Sequence, residues 1–193
     1  KAGVPIPETV FLDEQDLNHE TAERAFRQLG KPVVLKAPNS SFSMYVEKVE
    51  TAQEFVKVGK GFLRRADRIV AQRFIKSIFD WRVGIMGGQP LYVCQYLIPK
   101  KRWKIASYTP DGNSVVGTVR ALPLEQVDPR LLECAEKAGN AIGKSLYGVD
   151  LKQVGDDYLV IEVNDNPTIN AGDEDKKAPD LYARLINFLI AGK

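Results

Sequence analysis

Histidine and cysteine are nearly absent from this 193-residue chain, which has one of the first (His19) and two of the second (Cys94 and Cys134). A single histidine in a polar stretch, with no nucleophile or acid placed near it in sequence, reads as a solvent-facing helix residue, so triad chemistry is set aside. The two cysteines lack metal-ligand spacing and lie in apolar periodic segments, so buried, reduced thiols and a cytoplasmic location are expected. An excess of one charge is also missing. The 27 basic and 25 acidic side chains leave +2, too little to argue for nucleic acid or an anionic membrane, so any anion site must be local. No apolar run approaches the ~20 residues of a membrane-spanning helix, and no charged leader followed by an apolar stretch opens the chain. The first residue is Lys1, not Met, and Lys1-Ala-Gly-Val-Pro-Ile-Pro7 reads as mid-chain sequence, so a part of a longer protein is expected.

What is present, 44% hydrophobic and 27% charged residues with ordinary glycine and proline, belongs to a folded chain. Asn18 as cap, the apolar spacing of Ala22, Ala25, Phe26 and Leu29, and Gly30 as terminator predict a first helix. The proline-fenced run 31–38 predicts a buried strand. Thr51 and Glu54 form a capping-box pattern ahead of a second amphipathic helix through Phe55, Val58, Phe62 and Leu63. A strand over 68–75 precedes a hairpin, 80–86 and 91–98, joined by Gly87-Gly-Gln-Pro90. The stretch 99–123 reads as irregular. Asp128-Pro129 starts a helix whose stripe runs through Leu131, Ala135, Ala138, Ile142 and Leu146. Strands over 148–154 and 158–164 and a closing helix from Pro179 complete an α+β pattern.

The stretch Gly148 to Pro167 carries the most chemistry. A three-residue turn, Gly155 to Asp157, would pair Val154 with Tyr158 and set Asp150 directly opposite Glu162. Alternation then puts Asn164 on the same face and Leu159, Ile161 and Val163 on the other. Facing carboxylates with Cβ atoms ~4.5 to 5.5 Å apart repel one another unless a cation or proton intervenes. Two carboxylates and an amide oxygen, with no sulfur or imidazole, suit magnesium. A solvated polar hairpin face, with Lys152 near it, is the other reading of the same residues. Gly139-Asn-Ala-Ile-Gly-Lys-Ser145 has one residue too few between its glycines for a P-loop and lies in the third helix, where its N–H groups are already bonded. Pro38-Asn-Ser-Ser-Phe-Ser-Met44, directly after Lys36, could bind phosphate through hydroxyl and backbone N–H groups, or be an ordinary polar loop.

Together these segments resemble the ATP-grasp superfamily, specifically the RimK-type and glutathione-synthetase-like carboxylate–amine ligases. The resemblance lies in motif order as well as content. Gly3-Val-Pro-Ile-Pro-Glu-Thr9 looks like the family's entry, Val33-Val-Leu-Lys36 like its nucleotide lysine strand, and Val70-Ala-Gln-Arg-Phe-Ile75 like its adenine hinge. Asp80-Trp-Arg-Val-Gly-Ile85 is similar to the strand after that hinge. Gly148-Val-Asp-Leu151 and Ile161-Glu-Val-Asn-Asp-Asn-Pro167 resemble its magnesium motifs and are the most specific part.

The resemblance implies an ATP-grasp fold: two α+β lobes, about 1–75 and 76–193, with mixed, largely antiparallel sheets holding ATP between them. It implies ATP with Mg2+ as cofactors, Mn2+ being an acceptable substitute. Lys36 would contact the adenine side and α-phosphate, Gln72, Phe74 and Ile75 would border adenine, and Asp80 would meet the ribose or hinge. Arg82 and Lys104 would hold the transferred phosphate, Asn166 would assist there, and Asp150, Glu162 and Asn164 would carry the metal. A carboxylate and an amine substrate (amino acid, peptide or protein) are the implied partners, without nucleic acid or membrane; a homo-oligomer is compatible with this.

Two departures stand out. Ser43-Met-Tyr-Val46 replaces the glycines of the family's phosphate-covering loop, and the family's preceding domain is not represented before Lys1. A non-catalytic nucleotide-binding module and a metal-stabilised interaction domain are therefore the alternatives to a ligase.

Overall fold

The computed structural model describes residues 2–38, 45–100, 102–108 and 114–192. It separates into two units, one spanning Pro7–Lys76 and the other running from Ser77 onward together with the segment that ends at Ile6. The first unit contains β1 (Thr9–Leu12), α1 (His19–Leu29), β2 (Val33–Lys36), β3 (Val46–Val49), α2 (Ala52–Leu63) and β4 (Ile69–Arg73). The second contains β5 (Phe79–Met86), β6 (Gln89–Leu97), β7 (Ala106–Tyr108), β8 (Ser114–Val116), β9 (Val119–Leu122), α3 (Pro129–Ile142), β10 (Leu146–Val154), β11 (Asp157–Asn164) and α4 (Leu181–Ile190).

In the first unit the order β1-β4-β2-β3 makes a four-stranded sheet whose pairs are all antiparallel. The helices form where the chain supplies caps. The Asn18 side chain accepts from Thr21 N–H at 2.9 Å, and Thr51 and Glu54 make the reciprocal capping box. Phe26 and Leu29 of α1 and Phe55 and Phe62 of α2 pack on Val33, Leu35, Ile69 and Ala71, so one face of the sheet is sealed. Each fully buried side chain of this size contributes about 1.5–3 kcal/mol.

In the second unit the order β11-β10-β5-β6-β9 makes a five-stranded sheet, again antiparallel throughout, with β7 and β8 as a separate ribbon. Trp81, Val83, Ile85, Tyr147, Val149 and Leu151 pack against Leu131, Ala135 and Ala138 of α3. Leu91, Tyr92, Cys94 and Tyr96 form a further core with Leu181 and Ile169.

Several expected boundaries are corrected. The stretch expected to be irregular holds β7, β8 and β9. The third helix stops at its cap Gly143, so Leu146 opens β10 and Ile142 is 64% exposed rather than part of the buried stripe. The hairpin after β5 turns on Gly87 and Gly88 alone, both at positive φ as a type I′ turn requires, which leaves Pro90 inside β6.

The turn between β10 and β11 is also shorter than expected. Two residues, Gly155 and Asp156, make it, and Val154 pairs with Asp157. A register shift between Asp150 and Leu151 adds one residue to β11, and Asp150 faces Glu162 after all. The bulge also reassigns faces, so that Tyr158 and Val160, rather than Leu159 and Ile161, join the core with Val163.

Candidate functional site

In the first unit, strand alternation turns Val33, Leu35, Ile69 and Ala71 toward the helices and leaves Lys36, Gln72 and Thr9 on the opposite face. There they form a relay. Lys36 Nζ donates to Gln72 Oε1 at 2.7 Å, Gln72 Nε2 donates to Thr9 Oγ1 at 2.9 Å, and that hydroxyl donates to Pro7 O at 2.8 Å. Gln72 is 8% exposed, and the register pairs it with Thr9 on one side and Val34 on the other, so its amide has a fixed orientation. Phe74 and Ile75 lie beyond the end of β4, with Lys48 Nζ 5.2 Å from the Phe74 ring centroid.

Residues 39–44 of the expected phosphate loop lie outside the described residues. Tyr45, at its end, has φ of 56°, the left-handed region where glycine is at ease. Its ring packs edge-on to Phe62 at 5.7 Å, a contact that helps to offset the backbone strain at this position.

In the second unit, the face of the five-stranded sheet away from α3 carries two ion pairs of opposite polarity in neighbouring rows. Arg82 and Asp150 are partners in register, and Arg82 Nε and Nη2 meet Asp150 Oδ1 and Oδ2 at 2.6 and 2.8 Å. In the adjacent row Lys152 Nζ donates to Asp80 Oδ1 and to Ser77 Oγ, and Ser77 Oγ donates to Asp80 at 2.9 Å. Asn164 Nδ2 approaches Asp150 Oδ2 and Gly148 O, each at 3.3 Å. Burial opposes the charge on Arg82, but Asp150 beside it more than offsets this, so the guanidinium holds its proton more tightly than usual.

Glu162 is exposed and sits opposite Asp150, on the same side of the sheet as directly paired residues must be. Among the described residues there is no group of three His, Cys, Asp or Glu side chains with metal-holding geometry. The expected donor set is of a different kind, two carboxylates and an amide. Of about four lone-pair sites on the Asp150 carboxylate, Arg82 takes one on each oxygen and Asn164 takes a second on Oδ2, leaving Oδ1 with one to spare. The spare site on Asp150 and the exposed Glu162 carboxylate offer the oxygen donors that a hard dication takes, whereas Asn164 turns its amide nitrogen, not its oxygen, toward Asp150.

The remaining expected residues are not brought into this cluster by any described bond. Lys104 Nζ stands 4.9 Å from the centroid of the neighbouring Trp103 ring, and Asn166 is exposed just past β11. Sequence reasoning did not assign Thr9, Ser77, Tyr96 or Glu174, and treated Lys152 only as a nearby charge. Lys152 could have been found, since it shares the alternation of Asp150. Glu174 sits in a short 3-10 helix with no periodicity to mark it.

This arrangement is the ATP-grasp fold, shared with solved structures of ATP-grasp ligases. No family model matches the chain. A probable alpha-L-glutamate ligase from Thioalkalivibrio sulfidiphilus is 26% identical over 191 residues, 98% of this chain and 59% of that protein. The D-alanine–D-alanine ligase from Bacillus anthracis superposes with a TM-score of 0.73 at 19% identity, over 98% of this chain and 62% of that one, and has also been solved with ATP. A RimK domain ATP-grasp protein from Sphaerobacter thermophilus matches with a TM-score of 0.66 at 20% identity, over 97% of this chain and 62% of that one. The chain therefore spans about three fifths of the length of such relatives.

Proposed function

We propose that this chain is the ATP-binding portion of a magnesium-dependent carboxylate–amine ligase. The observation that carries the reading is the cluster of Arg82, Asp150 and Asn164, with Glu162 opposite Asp150, on a sheet of ATP-grasp topology. Asp150, Glu162 and Asn164 would hold magnesium, which when bound neutralises charge on the phosphates. Arg82 already spends one edge of its guanidinium on Asp150, and its other edge would bind the transferred phosphate. Lys36, steadied by Gln72, would contact the adenine side and α-phosphate, with Gln72, Phe74 and Ile75 bordering adenine. Asp80 would serve the ribose, Lys104 the transferred phosphate and Asn166 the substrate end.

In this reading a substrate carboxylate oxygen attacks the γ-phosphorus, ADP leaves and an acyl phosphate forms. The amine nitrogen then attacks the acyl carbon and inorganic phosphate departs, giving the amide. Positioning and charge stabilisation do most of this work. The name of the glutamate-ligase relative makes glutamate the first amine and the first acid to try. ADP release by the full-length protein, measured with glutamate and a panel of carboxylates, is expected only when acid and amine are both present. Release with neither, or with the acid alone at an equal rate, would reject the ligase reading.

A further inference from the structure

Asp150 grips one edge of the Arg82 guanidinium, but its flat face is held by something else. Arg82 Cζ lies 4.8 Å from the centroid of the Tyr96 ring, within range of a cation–π contact. Tyr96 is itself anchored. Its hydroxyl donates to Glu174 Oε1, and Glu174 Oε2 accepts the backbone N–H of Asn170 at 2.7 Å. Glu174 is 1% exposed, a position where a carboxylate is tolerated only if donors surround it. Burial, with the Glu174 hydrogen bond adding to it, pushes the Tyr96 phenol above its ordinary range despite the opposing pull of Arg82, so the hydroxyl remains a donor. Edge and face together leave Arg82 Nη1 as the end without a bond among the described residues.

We propose that Tyr96, fixed through Glu174, is a positioning residue that holds the Arg82 guanidinium flat so that its outer edge meets the transferred phosphate. Asn170 and Glu174 lie in the segment after β11, the strand of Glu162 and Asn164, so the chain leaving the expected metal strand packs back on β6 and anchors the Tyr96 ring that faces the arginine. This inference rests on the nucleotide reading above, and its test separates the two.

The affinities of the protein for Mg-ATP and Mg-ADP are measured by calorimetry for the wild type, Y96L, R82M and the double variant Y96L/R82M. Removing the ring in Y96L is expected to lower the preference for ATP over ADP by about fivefold, and the same change in the R82M background is expected to have no further effect, because Tyr96 acts through Arg82. An equal loss in both backgrounds, or no loss in either, would overturn the positioning role. If Y96L does not fold, Y96F takes its place: it keeps the ring, frees it from Glu174, and is expected to cost about twofold in the Arg82 background alone. Failure of the wild type to bind either nucleotide would overturn the nucleotide reading, and the positioning role with it.

Discussion

At Gly84 a single hydrogen is all the space allows. A Cβ there would stand 2.2 to 2.7 Å from three atoms of the Tyr92 ring, which is rigid and 2% exposed. G84A is therefore expected to destabilise the second unit by about 1–3 kcal/mol, read from urea denaturation; an unchanged midpoint would contradict the packing described.

The Tyr92 hydroxyl is buried without a hydrogen-bond partner among the described residues, so Y92F is expected to gain about 1 kcal/mol by removing an unsatisfied group. A loss of that size by the same assay would show that the hydroxyl is bonded.

Burial suppresses the ionisation of Tyr92 and Tyr96, raising both above the ordinary phenol range, and pushes the Cys94 thiol up to about 12. The fold thus keeps protons that the unfolded chain releases from about pH 9 for the thiol and pH 10 for the phenols. The corresponding stability is fully present below about pH 9 and lost as pH rises toward the folded values. Thermal melts from pH 7 to 11 should fall on the alkaline side, and C94A/Y92F should flatten that fall; an identical slope in the variant would contradict it.

The facing of Asp150 and Glu162 was expected from a three-residue turn, and it holds only because the bulge offsets the shorter turn that forms instead. The Tyr96–Glu174 brace was not legible in the sequence, because 78 residues separate its ends and no local pattern joins them.

The three side-chain-capped α-helices begin where the sequence says. Asn18, Thr51 and Asp128 each cap a helix as their residue types require. T51A should remove one half of the capping box and cost about 1 kcal/mol, checked by the shift in denaturation midpoint, with no shift counting against the cap. The end of α3 was harder to read, because Leu146 continues the apolar spacing of Leu131 to Ile142 although the helix has already closed at Gly143. Hydrophobic period registers apolar spacing and not which element carries it. The β10–β11 hairpin teaches the same limit. Alternation cannot reveal loop length, and the two-residue turn and the bulge shift the pairing in opposite directions, restoring the partner of Asp150. Strands as short as β7, β8 and β9 have too few residues to display a period at all.

On the scale of the whole molecule, the order of motifs along the chain carried more than any motif alone in pointing to an ATP-grasp fold, and that fold is what the chain adopts. No helix among the described residues is long and apolar enough to cross a membrane. The central claim is that Asp150 and Glu162 would together hold the magnesium on which ATP binding depends. Its most direct test is the melting temperature with saturating ATP, with and without magnesium, for the wild type and for D150N and E162Q. At a hundredfold excess over Kd the ligand should add about 2.7 kcal/mol, which for a chain of this size is a rise of about 5–10 °C. The account predicts that rise for the wild type only when magnesium is present, and its loss in both variants. An equal, magnesium-dependent rise in D150N and E162Q would contradict it.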